Sequence, residues 1–580
     1  MTSMTALLES FLSVFAIMRM TEMATTNPLS LVLFLAFTYI YATFQKSILE
    51  SKFAGSDHLH ACILAILFSV LTLFVSYEQV TIGISSNLFC AGILLLTALG
   101  LFLCYYHLLL WIFLKTAEFE PAHMLYPVVW LPYATFFACL LCWLPYFLHE
   151  FPGVMTPDSI NQFAQAVGVW ELNNQHSVLH TLLILVFYKM GLTITGNSII
   201  AISFYTVFQM IFMAFVAAYT VRTLQLAKLK TSICVAVACF YALLPYQGAL
   251  SVTIWKDVIF AGCVTLFTAS CIRILLLDAK EIPGFSTLLS AFFPYVIAGF
   301  CICLLRSNGL YAFLVSVPFL LFVFRERWKH LLPSTVLVLV LALFIRYPCM
   351  QIYEIEQADF AESCSIPLQQ MARVVAKGET LTDDQTARLS QFISIEEIPS
   401  AYDEHVSDPI KYLVRETGIT YLEENKGEFF SLWFSIGLKH PKTYFDAFVA
   451  QTYGYWYPDA YSDVGLADGI YPNDFGLSWS PILKGSIIVK IKELLFKFQQ
   501  LIPVYGLLWS IGAAFWVILI CVGICFCRGN SSMAVLSIFP IALVLTLTLA
   551  VPVAVEFRYA YPLIYALPLY LLAPYIRANR

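Results

Sequence analysis

Phe151-Pro152-Gly153-Val154-Met155-Thr156-Pro157-Asp158-Ser159-Ile160-Asn161-Gln162 opens a polar stretch of about 27 residues that follows an apolar run ending near His149. No Lys or Arg occurs between Lys115 and Lys189. Loops on the cytoplasmic side of a membrane are enriched in Lys and Arg, so this cation-free loop is expected on the outside. A carboxylate between membrane spans is costly to hold at a lipid surface and marks function. Asp158 is therefore the first candidate for a catalytic residue.

The membrane setting follows from composition. The chain has 580 residues, 60% hydrophobic and 12% charged, with mean hydropathy +0.79. Soluble domains carry roughly 25% charge, so a polytopic membrane protein is expected, integral to the plasma membrane. The net charge of −5 is unevenly spread: residues 348–503 hold 22 of the 37 acidic and 12 of the 32 basic residues, a balance of −10. An acidic external domain on a cation-flanked membrane body fits that split. No basic stripe supports nucleic-acid binding. Fourteen of the 16 cysteines sit in or beside apolar runs, where they act as small hydrophobes. Cys349 and Cys364 alone fall in the large polar region, which allows one external disulfide.

The reading outward from the loop gives an all-α membrane bundle of about 13–14 transmembrane helices, with an α-rich external domain in the C-terminal half. Its expected divisions are accessory membrane helices in 1–125, a membrane core in 126–347 with the external loop 149–176, the external domain in 348–503, and C-terminal spans in 504–580. The short apolar run from Ala6 to Met18 reads as an interfacial helix. Arg222, Lys228 and Lys230 mark one cytoplasmic loop, and Arg325, Arg327 and Lys329 another. With Asp158 outside, an odd number of crossings is required before Lys228, yet two apolar runs intervene. One of them is expected to enter and return, or the two to form one broken span. In the external region, Pro367 to Val375 reads as an amphipathic helix. Thr382-Asp383-Asp384-Gln385 reads as a capping box. Residues Ile487 to Phe498 read as a helix lying flat on the outer surface, with Lys490, Lys492, Glu493 and Lys497 on its polar face.

Four polar clusters fall at the external ends of apolar runs. They are Asp158 with Ser159, Gln162, His176 and His180; Trp255-Lys256-Asp257; Arg306-Ser307-Asn308-Gly309; and Glu556-Phe557-Arg558-Tyr559. Carboxylates and three cations on one membrane face suit a substrate with a phosphate leaving group: a carboxylate takes a proton or holds a metal, and Lys or Arg neutralises developing phosphate charge. The plainer reading makes Lys256, Arg306 and Arg558 headgroup anchors or partners of Asp257 and Glu556. His176 and His180, four residues apart, suit a metal or a hydrogen-bonding role at a helix start. The aromatic run around Tyr455 and Trp456 suits sugar stacking or an interfacial belt. Asp459, Asp463, Asp468 and Asp474 lack calcium-loop spacing and read as solvated turns.

The segments Pro152-Gly153, Pro157-Asp158-Ser159, Gln162, Trp255-Lys256-Asp257, Arg306-Ser307-Asn308-Gly309 and Ser365-Ile366-Pro367-Leu368-Gln369-Gln370 resemble an uncharacterised family of bacterial multi-span proteins. That family is grouped with the GT-C superfamily of integral membrane glycosyltransferases. The resemblance covers most of residues 126–576. It implies a polyprenyl-phosphate sugar donor and an external cell-envelope acceptor: a glycan, lipid or protein. It also implies Asp158 as the base, and Lys256, Arg306 and Arg558 on the donor phosphate. Three extra N-terminal apolar runs, and the absence of a second acidic residue beside Asp158, depart from the superfamily pattern and leave a divalent cation open. Two rival expectations remain: a transporter or flippase of a lipid-linked glycan, with charges lining a path from both faces, and a non-enzymatic envelope assembly protein, in which Asp158 is replaceable.

Overall fold

The structure, a computed structural model, describes residues 2–50, 55–119, 127–277, 284–460, 464 and 468–577. The expected boundary at residues 125 and 126 lies outside the described residues, as does Asp463. Regular structure among them is helical, with isolated β-bridges only. Ten described helices are long and apolar enough to cross a membrane, or 11 if one bent pair counts as a span. Ser307–Val323 and Ile511–Cys527 are shorter apolar helices. The chain is thus an all-α polytopic membrane protein. The higher expected number counted these short pieces, and also the C-terminal helix Phe557–Leu572, which carries Pro562 and Pro568.

One compact unit comprises Met1–Pro121, Trp516–Ala534 and Ala573–Tyr575. It contains α1 (Thr2–Met20), α2 (Leu29–Glu50), α3 (Gly55–Val80) and α4 (Asn87–Glu118). The segment from Ala6 to Met18 is part of α1, which packs along α4. A Cβ on Gly100 would stand 2.1 Å from the Leu12 carbonyl oxygen, so glycine alone lets the two backbones approach. Ser13 and Tyr41 share a hydrogen bond of 2.8 Å, and Phe68 stacks on Trp516 at 4.1 Å.

The second unit comprises Ala122–Phe515, Val535–Leu572 and Ile576–Arg580. In order it begins with α5 (Leu131–His149), α6 (Pro157–Ala166), α7 (Val178–Thr195), α8 (Ser198–Leu226), α9 (Thr231–Leu243), α10 (Pro245–Ser251) and α11 (Lys256–Leu276). Every residue of α11 from Asp257 to Leu275 is buried, which makes it the central helix of the unit. The crossing problem between residues 177 and 221 resolves through α8. Thr206 bonds the Pro152 carbonyl beyond one end of α5, and Gln225 bonds the Val128 carbonyl beyond the other. Residues 206–225 of α8 therefore run the length of α5. The start of α7 sits beside Gln162 and Leu304, at the same end as Pro152. Although α7 is long and apolar enough to cross, it and the first turns of α8 begin and end at that same end, so α7 and α8 together net one crossing. The break falls later than expected: α9 and α10 meet at a 55° bend before Pro245.

The acidic region forms a helical body. Ser365–Ala376, Asp408–Thr417, Lys426–Lys439 and Pro441–Trp456 surround Leu368, Met371, Phe392, Ile410, Phe429 and Leu432. The capping box on Thr382 is present with both its hydrogen bonds. Cys349 and Cys364 are free thiols, so the external disulfide is not formed; Cys364 is buried in the apolar core of this body. Ser486–Leu501 is a helix with Ile487, Ile491 and Leu494 exposed, as a surface-lying segment requires. Lys492 departs from its expected place on the polar face by turning inward.

Candidate functional site

The loop that begins at Phe151 is zipped to residues 252–254. The Val154 amide bonds the Val252 carbonyl at 3.0 Å, and the Ile254 amide bonds the Val154 carbonyl at 2.9 Å. Pro157 starts α6, where a missing N–H costs nothing. Thr156 and Ser159 lock the junction: the Trp255 indole donates to Thr156 Oγ1 at 2.8 Å, and the Ser159 hydroxyl donates to the Ile254 carbonyl at 2.7 Å. Asp158, in the first turn of α6, is thereby fixed beside the start of α11.

All four sequence clusters bring charges to this point. Arg558 donates to Asp158 at 2.7 Å and lies 3.6 Å from Glu556. Its guanidinium stands 4.8 Å above the Trp255 ring and 5.1 Å above Tyr559. Arg306, at the junction of Phe293–Leu305 and Ser307–Val323, is ion-paired with Asp257 and bonds Asn308 Oδ1 at 3.2 Å. It too covers Tyr559, at 4.5 Å. Two arginine–aspartate pairs thus share one tyrosine ring, worth about 0.5–2 kcal/mol per cation–π contact. Lys256, by contrast, has no hydrogen bond or ion pair among the described residues. With both arginines paired, Lys256 is the amine of this cluster left without a partner among the described residues.

The electrostatics separate the two carboxyls bound to Arg558. Partial burial pushes Asp158 up, but Arg558, His176 and Lys256 outweigh it and hold the carboxyl below its ordinary value. Burial raises Glu556 above its ordinary value against the pull of Arg558. Burial, with Lys256, lowers His176 to about 4, so its imidazole is neutral at neutral pH.

Several expected site residues do not face this point. Gln162 accepts from His180 Nδ1 at 2.9 Å, and His180 Nε2 meets the Tyr205 hydroxyl at 2.5 Å. Both are buried, so they form a structural tie between α6, α7 and α8 rather than substrate or metal contacts. Tyr455 and Trp456 are also buried and offer no ring face to a sugar or a membrane surface. Tyr455 instead donates to the Val553 carbonyl at 2.9 Å and receives the Glu556 amide at 3.3 Å, holding the turn before Arg558. Asn308 and Gly309 do not make a turn; they sit in the first helical turn of Ser307–Val323. Asp468 is exposed, as expected of a solvated residue, and also bonds Lys492. The residue that sequence reasoning missed is Tyr559, and its signal was its place beside Arg558. Glu150 was missed too, although it stands in the same cation-free loop.

Residues 170–580 match a family of unknown function, DUF6020. The chain belongs to this family. No curated protein and no solved structure matches it. In this DUF6020 member the matched span contains His176, Lys256, Asp257, Arg306, Glu556 and Arg558, and begins after Asp158. The acidic helical region reaches the loop between α6 and α7: the Asn174 amide bonds the Glu356 carbonyl at 2.7 Å, and Asn174 Nδ2 bonds Gln357 at 2.9 Å.

Proposed function

We propose that this DUF6020 protein is a membrane glycosyltransferase of the GT-C kind. In this reading it moves a sugar from a polyprenyl-phosphate donor to an external cell-envelope acceptor. The reading is carried by one observation: an ionised, part-exposed carboxylate, Asp158, beside a lysine with no hydrogen-bond or ion-pair partner among the described residues. The acceptor hydroxyl attacks the anomeric carbon, and its proton passes to Asp158. The bond from that carbon to the phosphate oxygen breaks with its electron pair, and Lys256 holds the departing phosphate. A carboxylate held low is a weak base. It suffices because the transition state is oxocarbenium-like, so the hydroxyl gives up its proton as the new bond forms. Clustering of the charges at one end favours chemistry over a transport path. Membership of the plasma membrane and the outward orientation of the site belong to the same proposal and rest on the loop charges.

The test is transfer in proteoliposomes, with polyprenyl-phosphate glucose, mannose and galactose supplied in turn and release of polyprenyl phosphate measured. Asp158→Asn keeps the shape and removes the proton acceptor, so transfer is expected to fall by about 100-fold or more at unchanged protein level. Undiminished transfer by the Asn variant would overturn the role of Asp158.

A further inference from the structure

We propose that His149, Glu150 and Asp468 form a site for one first-row divalent cation, occupied in exchange with the Lys492 ammonium. The inference does not depend on the transferase reading. One donor atom from each of the three residues lies within 4.8 Å of the others. One imidazole and two carboxylates suit zinc or manganese better than the all-oxygen preference of magnesium or calcium.

The histidine supplies the independent observation. His149 is 5% exposed, and its Nε2 has no hydrogen-bond partner. That atom points at Glu150 Oε1, 3.8 Å away. Its Nδ1 lies 3.2 Å from the Leu483 carbonyl oxygen. A carbonyl only accepts, so Nδ1 carries a proton, which leaves the unpartnered Nε2 facing the carboxylate. A buried ring nitrogen set this way against a carboxylate is placed to share a cation with it. A histidine that gives its other N–H to a carbonyl is also the usual arrangement of a metal ligand. Trp479 steadies the backbone by donating to the His149 carbonyl at 3.0 Å.

The cluster already takes a cation. Glu150 is 2% exposed; its Oε2 accepts the Gly469 amide at 2.9 Å and its Oε1 accepts Lys492 Nζ at 2.6 Å. Lys492 also pairs with Asp468. One ammonium against two carboxylates leaves a net negative charge, which a divalent ion removes. Exchange would free Lys492, and with it the amphipathic helix Ser486–Leu501, while the ion kept Asp468 against the end of α5. The Met155 amide bonds the Gly469 carbonyl at 3.0 Å, so the same ion braces the loop that carries Asp158.

The full chain, purified in detergent and stripped with a chelator, would be titrated with Zn²⁺ and Mn²⁺, with Mg²⁺ for comparison. Retained metal is read by elemental mass spectrometry and affinity by calorimetry. About one equivalent of Zn²⁺ or Mn²⁺ is expected, bound about tenfold or more tighter in Lys492→Met and about tenfold or more weaker in His149→Ala. If His149→Ala does not fold, Asp468→Asn, at an exposed position, decides by the same loss of affinity. No retained ion in either wild type or Lys492→Met overturns the site, as does binding indifferent to loss of a ligand.

Discussion

Arg306 shows how the structure sharpens a residue-level reading. Its guanidinium satisfies Asp257, Asn308 and the Tyr559 face together, three directions that a flexible ammonium cannot serve at once. Arg306→Lys is therefore expected to leave expression intact and slow transfer by about tenfold or more, read as a fall in kcat/KM. Asp257→Ala strands a buried guanidinium and should cost about 3–5 kcal/mol of stability, seen as a lower Tm. A headgroup anchor would tolerate both changes. At this scale the charges were legible because they interrupt apolar sequence: Asp158, Lys256, Arg306 and Arg558 stand out against their neighbours. Direction was not legible. Gln162, His180 and Tyr455 carry the same polarity whether they face a substrate or each other, and only packing distinguishes the two.

At the scale of elements, Gly309 decides how close two helices come. A Cβ there would stand 2.6 Å from Phe260 and 2.7 Å from the Ile302 carbonyl. The glycine is a spacer that lets the start of Ser307–Val323 press on α11, and so sets the reach of Arg306 to Asp257. Gly309→Ala should cost about 1–3 kcal/mol by overpacking and reduce activity with it; thermal unfolding in detergent checks the first effect. An unchanged Tm would return Gly309 to a dispensable position. Local signals predicted the elements that depend only on neighbours. The Thr382 capping box and the amphipathic run at Ser486–Leu501 are both present. Pro367 lies inside rather than at the start of its helix, because a 3-10 turn at Phe360–Cys364 leads directly into Ser365–Ala376. The bend at Pro245 escaped the hydropathy pattern, since both halves are apolar.

For the whole molecule, the charge split set an acidic stretch apart from the apolar helices, and that stretch forms a helical body with its own core. What composition could not give was that four segments far apart in sequence meet at one end of the second unit, because long-range packing of α5, α8 and α11 brings them there. The central claim is that this meeting point holds a phosphate through Lys256. Binding of polyprenyl phosphate, without a sugar, to purified wild type and Lys256→Met tests it most directly. Binding weaker by about tenfold or more in the variant, with unchanged Tm, is the predicted result. Equal affinity in the two proteins would contradict it.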